Sequence, residues 1–99
     1  MKFDQTSKLS NKNAQKYAYR IVEDGYVIFT KHANKRMPER GFEKADVYRI
    51  LQKGNVIKTE PGVNNTWKYS FKGEDYEGNE GTIVVTFINS SKGLIITVF

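Results

Sequence analysis

The hydrophobic pattern of the chain changes at Asn55, and this change limits the folds that are open to it. Before Asn55, apolar residues recur three and four positions apart, as they do along one side of a helix. After Asn55, apolar and polar residues alternate, as they do on the two faces of a strand. Helices followed by hairpin-connected strands predict an α+β domain in which the N-terminal helices pack on one face of an antiparallel sheet.

Two helices are indicated by their caps and their apolar spacing. The first follows Ser10, a plausible N-cap, and ends before Gly25; its apolar residues are Ala14, Tyr17, Ala18 and Ile21. Another covers residues 43–53 and ends at Gly54, with Val47, Ile50 and Leu51 as its apolar stripe. Both stripes are expected to face the sheet.

A further helix is predicted between these two, starting at Lys31 behind the hydroxyl cap of Thr30. Pro38 lacks the N–H that a helix interior needs and disfavours helical dihedrals at the preceding residue. We therefore expect this helix to be kinked or finished near Met37, with Arg40 on a following turn.

Four strands are predicted at residues 56–60, 66–72, 82–88 and 94–99, which together give a four-stranded antiparallel sheet. In the second strand, alternation places Trp67, Tyr69 and Phe71 on one face, the better candidate for the face covered by helices. Lys68 and Lys72 then lie on the other face, where Thr86 and Thr97 mark polar positions of the last two strands. Both faces of those two strands contain apolar residues, so their orientation stays open.

The composition favours one domain over residues 1–99, because the chain has no internal repeat and no Pro/Gly/Ser-rich linker. Its hydrophobic content of 38% is sufficient for a packed core. The sequence contains no apolar run of signal-peptide or membrane-span character and no cysteine, so we expect a soluble, cytoplasmic protein. With a single histidine and no cysteine, a metal site or other cofactor is not expected.

The charge is unevenly distributed. Residues 1–41 hold nine Lys or Arg against four acids, whereas the remainder has seven of each, four of its acids falling within residues 74–80. A one-sided basic surface suits a polyanion or an acidic protein partner, although an ordinary soluble basic domain would show the same count. The acidic segment would repel RNA and is expected to lie away from any RNA surface.

His32, Arg36 and Arg40 lie four residues apart and carry the chemistry that we would assign first. Histidine has a usual pKa of about 6.5 and can transfer protons in both directions near neutral pH. Arginine binds phosphate through two parallel hydrogen bonds and stabilises developing negative charge. Together they could cleave RNA without metal, the 2′-hydroxyl acting as nucleophile. In the same helix, Ala33 and Met37 are expected to face the core.

Other polar residues could assist this chemistry. Lys31, Lys35, Lys68 and Lys72 are candidate RNA contacts, and Tyr69 is a candidate acid or stacking platform. A plainer interpretation stands beside each: the basic residues are common on solvated surfaces, and Tyr69 is equally compatible with a core position. Spacing alone does not decide between these alternatives.

A specific string of residues then resembles a known family. The motif His32-Ala33-x-x-Arg36-Met37-x-Glu39-Arg40-Gly41-Phe42, followed by Asp46-Val47 and Gly54-x-Val56-Ile57, is similar to a bacterial family described mainly as a domain of unknown function. That family is grouped with the RelE-like and MqsR-like ribonuclease toxins, in the superfamily named after barnase, EndoU, colicins and RelE. The closing segment Ile95–Phe99 resembles the family's last strand. The resemblance implies a RelE-like fold of helices followed by a curved antiparallel sheet.

By the same resemblance, His32, Arg36, Arg40 and Thr97 correspond to the family's characteristic polar positions. The function expected is a metal-independent endoribonuclease, the toxin of a toxin-antitoxin pair, with RNA and a cognate antitoxin as partners and a monomer or an antitoxin complex as its state. The alternative is a non-catalytic module on the same fold that binds nucleic acid or protein, such as a phage or plasmid inhibitor, in which the acidic segment 74–80 could form the contact surface.

Overall fold

A computed structural model describes residues 3–99 of the protein. Three helices are followed by four consecutive strands, and a fifth, short strand lies between the first two helices. The elements are α1 (Asn11–Glu23), β1 (Tyr26–Phe29), α2 (Lys31–Glu39), α3 (Lys44–Lys53), β2 (Asn55–Pro61), β3 (Trp67–Glu74), β4 (Glu80–Asn89) and β5 (Lys92–Val98). The mixed α+β class predicted from the sequence is confirmed. Among the described residues, no helix is long and apolar enough to cross a membrane.

The helix ends follow the predicted signals closely. The Ser10 hydroxyl accepts a hydrogen bond from the N–H of Asn13 at 3.1 Å and caps α1. The N–H of Glu43 donates to the Asp46 carboxylate at 2.9 Å at the start of α3, and the N–H of Gly54 closes its last turn on the carbonyl of Ile50. The apolar stripes of both helices are buried, as their spacing indicated, except that Tyr17 of α1 is half-buried.

Helix α2 ends at Glu39, two residues beyond Met37, and Arg40 lies on the following turn, as expected from Pro38. Pro38 falls in the last turn, and its ring is exposed. Its missing N–H therefore removes one hydrogen bond at the end of the helix and not in its middle. The N–H of Arg40 bonds to the carbonyl of Arg36 at 3.0 Å, which makes Arg40 the C-cap. Gly41 then turns the chain with a φ of 72°, a conformation that favours glycine.

The sheet has five strands in the order β1-β5-β4-β3-β2, not the predicted four, and one of its pairs is parallel. The four predicted strands are present and pair antiparallel as consecutive hairpins. The missing element was β1, which joins β5 in parallel register from Tyr26↔Lys92 to Phe29↔Ile95. Four apolar residues give too short a pattern to identify a strand, and their partner lies more than sixty residues further along the chain.

One face of the sheet is covered by α1 and α3, and the core lies between them. Phe71, Ile83, Val85, Phe87 and Ile95 project from this face and are at most 2% exposed. We call the opposite side the open face. A bulge in β5 places Val84 opposite Thr97 and Val85 opposite Ile95. Because of this extra residue, both Ile96 and Thr97 reach the open face.

The acidic segment forms the β3–β4 hairpin connection. The buried carboxylate of Asp75 accepts hydrogen bonds from the N–H groups of Asn79 at 2.8 Å and Glu77 at 2.9 Å. The hydrogen bond from Asn79 is the main reason that the pKa of Asp75 lies below its usual value, and Glu77 adds to it. This carboxylate therefore orders the turn, and the other acids of the segment are exposed.

Candidate active site on helix α2

Helix α2 has a buried stripe with polar residues beside it. We call the side that holds His32 and Arg36 the flank of α2. Ala33 and Met37 are buried against the sheet, whereas His32 and Arg40 are exposed and Arg36 is half-buried. Successive residues turn by about 100° around a helix, so positions four apart lie nearly above one another. His32 and Arg36 consequently lie on one side of α2, one turn apart, and Arg40 follows at the C-cap of the helix. These are the three residues that the spacing singled out, and no side-chain hydrogen bond or ion pair within residues 3–99 joins one to another.

The N-terminus of α2 is fixed to β5 by one side chain. The Thr30 hydroxyl accepts from the N–H of Ala33 at 3.1 Å and donates to the carbonyl of Ile95 at 2.8 Å. It thereby caps the helix and attaches it to the strand at the β5 bulge. His32 follows Thr30 by two residues, and Thr97 follows Ile95 by two. Each is thus two residues along the chain from this attachment point, and no hydrogen bond joins them in residues 3–99.

Arg36 has a partner that the sequence interpretation did not assign. Its guanidinium lies 3.3 Å from the carboxylate of Glu39, three residues further along the helix. Both side chains are substantially exposed, so the pair adds little to stability and a phosphate can displace it. The spacing of an arginine and a glutamate three residues apart was the available signal.

His32 is exposed on the first turn of α2. Within the described residues, no hydrogen bond or ion pair holds its ring. Both ring nitrogens are therefore accessible from solvent, and Arg36 lies one turn further along the same flank. Lys31 and Lys35 are exposed on the same helix but on other sides of it. They extend the positive surface without joining the flank.

Tyr69 is not part of this surface. Its ring is 2% exposed on the core side of β3 and packs against Phe87, with ring centroids 5.5 Å apart. Its hydroxyl accepts a hydrogen bond from the N–H of Leu9 at 2.8 Å. Burial raises the pKa of this hydroxyl, and the Leu9 hydrogen bond only partly opposes that change. The structure therefore gives Tyr69 a core position, from which it cannot stack on a base.

Replacing Tyr69 by phenylalanine should separate stability from any activity. Tyr69→Phe leaves the Leu9 N–H without its partner, so we expect the free energy of unfolding to fall by about 1–3 kcal/mol. RNA cleavage at a temperature where the variant is folded should be unchanged. Urea unfolding and a cleavage assay on the same preparation measure the two effects. A large loss of RNA cleavage by the folded variant would mean that Tyr69 takes part in the reaction.

Lys68, Lys72 and Thr97 lie together on the open face. Lys68 and Lys58 both contact Glu60, at 3.5 and 3.2 Å. Chiefly through a hydrogen bond and its charge, Lys58 lowers the pKa of Glu60, so this carboxylate stays ionised. Thr97 lines the same surface at the β5 bulge.

Lys72 also forms an ion pair with an acidic residue. It lies 3.7 Å from Glu80, the last of the acids in the 74–80 segment. One end of the acidic segment therefore borders the surface that holds Lys68 and Lys72. No ion pair or hydrogen bond in residues 3–99 joins these lysines to the flank of α2.

Fold and site together describe a small α+β domain with an exposed His/Arg flank on one helix and an unpartnered sheet face. Residues 29–99, from the end of β1 onward, match the family described as a domain of unknown function (DUF4258). The match includes all of α2, and the chain belongs to this family. No curated protein and no solved structure matches the chain.

Proposed function

We propose that the protein is a metal-independent endoribonuclease with its active site on the flank of α2. The observation that carries the proposal is that His32 and Arg36 lie one turn apart on an accessible side of that helix, with Arg40 at its C-cap. A proton-transferring group then has one phosphate-binding group beside it and a second at the end of the helix. The arrangement of helices on one face of the sheet is also compatible with the RelE-like fold that the resemblance implies.

In the proposed reaction, the 2′-hydroxyl oxygen attacks the adjacent phosphorus and the P–O5′ bond breaks. His32 accepts the proton of the 2′-hydroxyl, and the leaving 5′-oxygen gains a proton from water. Arg36, released from Glu39, and Arg40 bind the phosphate oxygens and stabilise the charge that develops there. The products are a 2′,3′-cyclic phosphate and a 5′-hydroxyl. Lys31 and Lys35 would attract the RNA to α2.

The biological setting follows from the same resemblance. As a toxin of a toxin-antitoxin pair, the protein would act on cytoplasmic RNA and be restrained by a cognate antitoxin. Thr97 enters the proposal as a neighbour of the α2 attachment point that could contact the substrate. Lys68 and Lys72 would contact RNA only after leaving their acidic partners.

A non-catalytic binding module is the second candidate, and the His32 ring favours it. A catalytic histidine is usually oriented by a hydrogen bond to its second nitrogen, whereas in residues 3–99 no group holds His32. Under this alternative, α2 binds RNA or an acidic protein through Arg36 and Arg40. Binding would then weaken with salt, and His32 would be dispensable.

Incubation with RNA in EDTA tests the main proposal. The full chain should cleave a mixed-sequence RNA into fragments that end in 2′,3′-cyclic phosphate, resolved on a denaturing gel before and after phosphatase treatment. A mock purification from cells without the gene controls for contaminating nucleases. If the chain binds RNA with salt-dependent affinity but cleaves none, the binding module is the correct function.

A further inference from the structure

The open face of the sheet carries most of the exposed apolar side chains of the protein. Eight large hydrophobic residues are exposed within residues 3–99, and six of them lie on this face or its rim: Tyr26, Ile28, Ile57, Val63, Ile88 and Phe99. The open face of a one-sided antiparallel sheet is ordinarily polar. An apolar patch of this kind on a small domain marks an interaction surface.

A groove made of two neighbouring cavities runs across this face. The cavities have volumes of about 340 and 530 Å³, and Lys68 and Ile96 line both. Most of the exposed surface inside it is apolar, although the hydroxyls of Ser70, Thr82 and Thr97 lie at one end and the polar side chains of Gln5, Asn64, Thr66 and Thr86 line the other cavity. The groove follows β4 from Thr82 to Ile88. At about 3.4 Å per residue, this is a length of about 20 Å.

These dimensions suit a helix. A helix rises about 1.5 Å per residue, so about 14 residues span the groove. Such a helix needs an apolar stripe at positions i, i+3, i+4 and i+7 to cover the apolar surface of the groove. This surface is poorly suited to RNA, because single-stranded RNA is held chiefly by aromatic stacking. Phe99 is the one aromatic residue among those that line the groove, and it lies at one end.

The charges around the groove indicate that its partner is acidic. Lys58 and Lys68 share the single carboxylate of Glu60, which leaves the groove's charged rim cationic. Lys92 adds a positive charge beside Tyr26, with Nζ 5.9 Å from the ring centroid. The chain as a whole carries +5, so two copies would repel one another, whereas an acidic partner is attracted. Glu80 offsets Lys72 only at the far end of the groove.

We propose that the open face binds an amphipathic, acidic helical segment of another protein. Leucine-like side chains of that segment would fill the groove over Val84 and Ile96, and its carboxylates would meet Lys58 and Lys68. This surface is distinct from the flank of α2. The proposal does not depend on RNA cleavage.

Methyl-resolved NMR of the full chain tests this proposal with two synthetic 16-residue peptides. Both carry leucine at positions i, i+3, i+4 and i+7; one has glutamate and the other lysine at the remaining positions. The acidic peptide should shift the methyl signals of Ile57, Ile88, Leu94 and Ile96 saturably, and leave those of Ile21, Ile50 and Leu51 nearly unchanged. At low salt it should bind at least tenfold more tightly than the basic peptide. Added salt should reduce that difference.

Variants locate the binding surface. Ile88→Lys should weaken binding of the acidic peptide at least tenfold, whereas Tyr19→Lys, which introduces the same charge at a more exposed apolar position on α1, should not. If Ile88→Lys fails to fold, Ile57→Lys, whose side chain is more exposed, serves in its place. Equal binding of both peptides, or no saturable shift, would overturn the proposal. So would a stable dimer in sedimentation, or an RNA oligonucleotide that shifts the Ile57 and Ile88 methyl signals as strongly as the acidic peptide does. His32→Ala should leave peptide binding intact, so the two proposals fail independently.

Discussion

His32→Ala should lower the rate of RNA cleavage in EDTA by about 10²–10⁴-fold, the usual contribution of a positioned acid or base. The side chain is exposed on α2 and makes no hydrogen bond within residues 3–99, so its removal should leave the fold unchanged. Circular dichroism and thermal unfolding verify this. Added imidazole should restore part of the lost rate, which a purely structural role of His32 would not allow.

Two further variants of α2 sharpen this expectation. Arg36→Ala removes a charged hydrogen bond to phosphate and should slow cleavage about 10- to 100-fold, since such bonds contribute about 1.5–3 kcal/mol. Asn34→Ala, on the opposite flank of the same helix and exposed, is the matched control and should cleave like the wild-type protein. Equal rates of RNA cleavage for His32→Ala, Arg36→Ala and the control would mean that the active site is not on α2.

Phe71→Ala should produce the largest loss of stability among single core substitutions considered for this protein. The ring is fully buried on β3 within the core cluster, and its removal leaves a cavity that the surrounding sheet can only partly close. Such truncations cost about 3–5 kcal/mol. A domain of this size has about 5–15 kcal/mol in total, so the variant should be only marginally folded. Urea unfolding followed by tryptophan fluorescence and circular dichroism measures the change.

Phe99→Ala is the matched control for that experiment. Phe99 is half-exposed on the open face, so the same truncation there should cost less than about 1 kcal/mol. Equal effects of the two substitutions would mean that the assignment of the core face to Phe71 is wrong.

The local elements of the fold could be predicted from the sequence because their signals are local. Ser10 and Gly54 marked helix ends, and alternation placed Tyr69 and Phe71 on the core face. The position of β1 could not be predicted, since its parallel pairing with β5 depends on contacts between distant segments. The β5 bulge was also missed. The sequence feature that accompanies this bulge is the presence of apolar residues on both faces of the last two strands.

The candidate site was only partly predictable for a related reason. Spacing within one helix placed His32 and Arg36 on one side, because helical geometry is regular, whereas Arg40 lies just past the helix end. Spacing gave no information on which strand residues would lie beside that helix. Tyr69 was nominated by its chemistry, but the packing of the N-terminal segment over its hydroxyl removed it from the surface. Lys68 and Lys72 were nominated by charge, yet Glu60 and Glu80 bind them.

The most direct test of RNA cleavage by α2 compares two substrates with two proteins in EDTA. Wild-type protein and His32→Ala, purified side by side, are each incubated with an RNA and with its fully 2′-O-methylated counterpart. We predict that only the wild-type protein on the unmodified RNA gives rapid cleavage, with 2′,3′-cyclic phosphate and 5′-hydroxyl ends. Cleavage of the methylated substrate, or an equal rate with His32→Ala, would contradict the proposed role of His32 and of the 2′-hydroxyl.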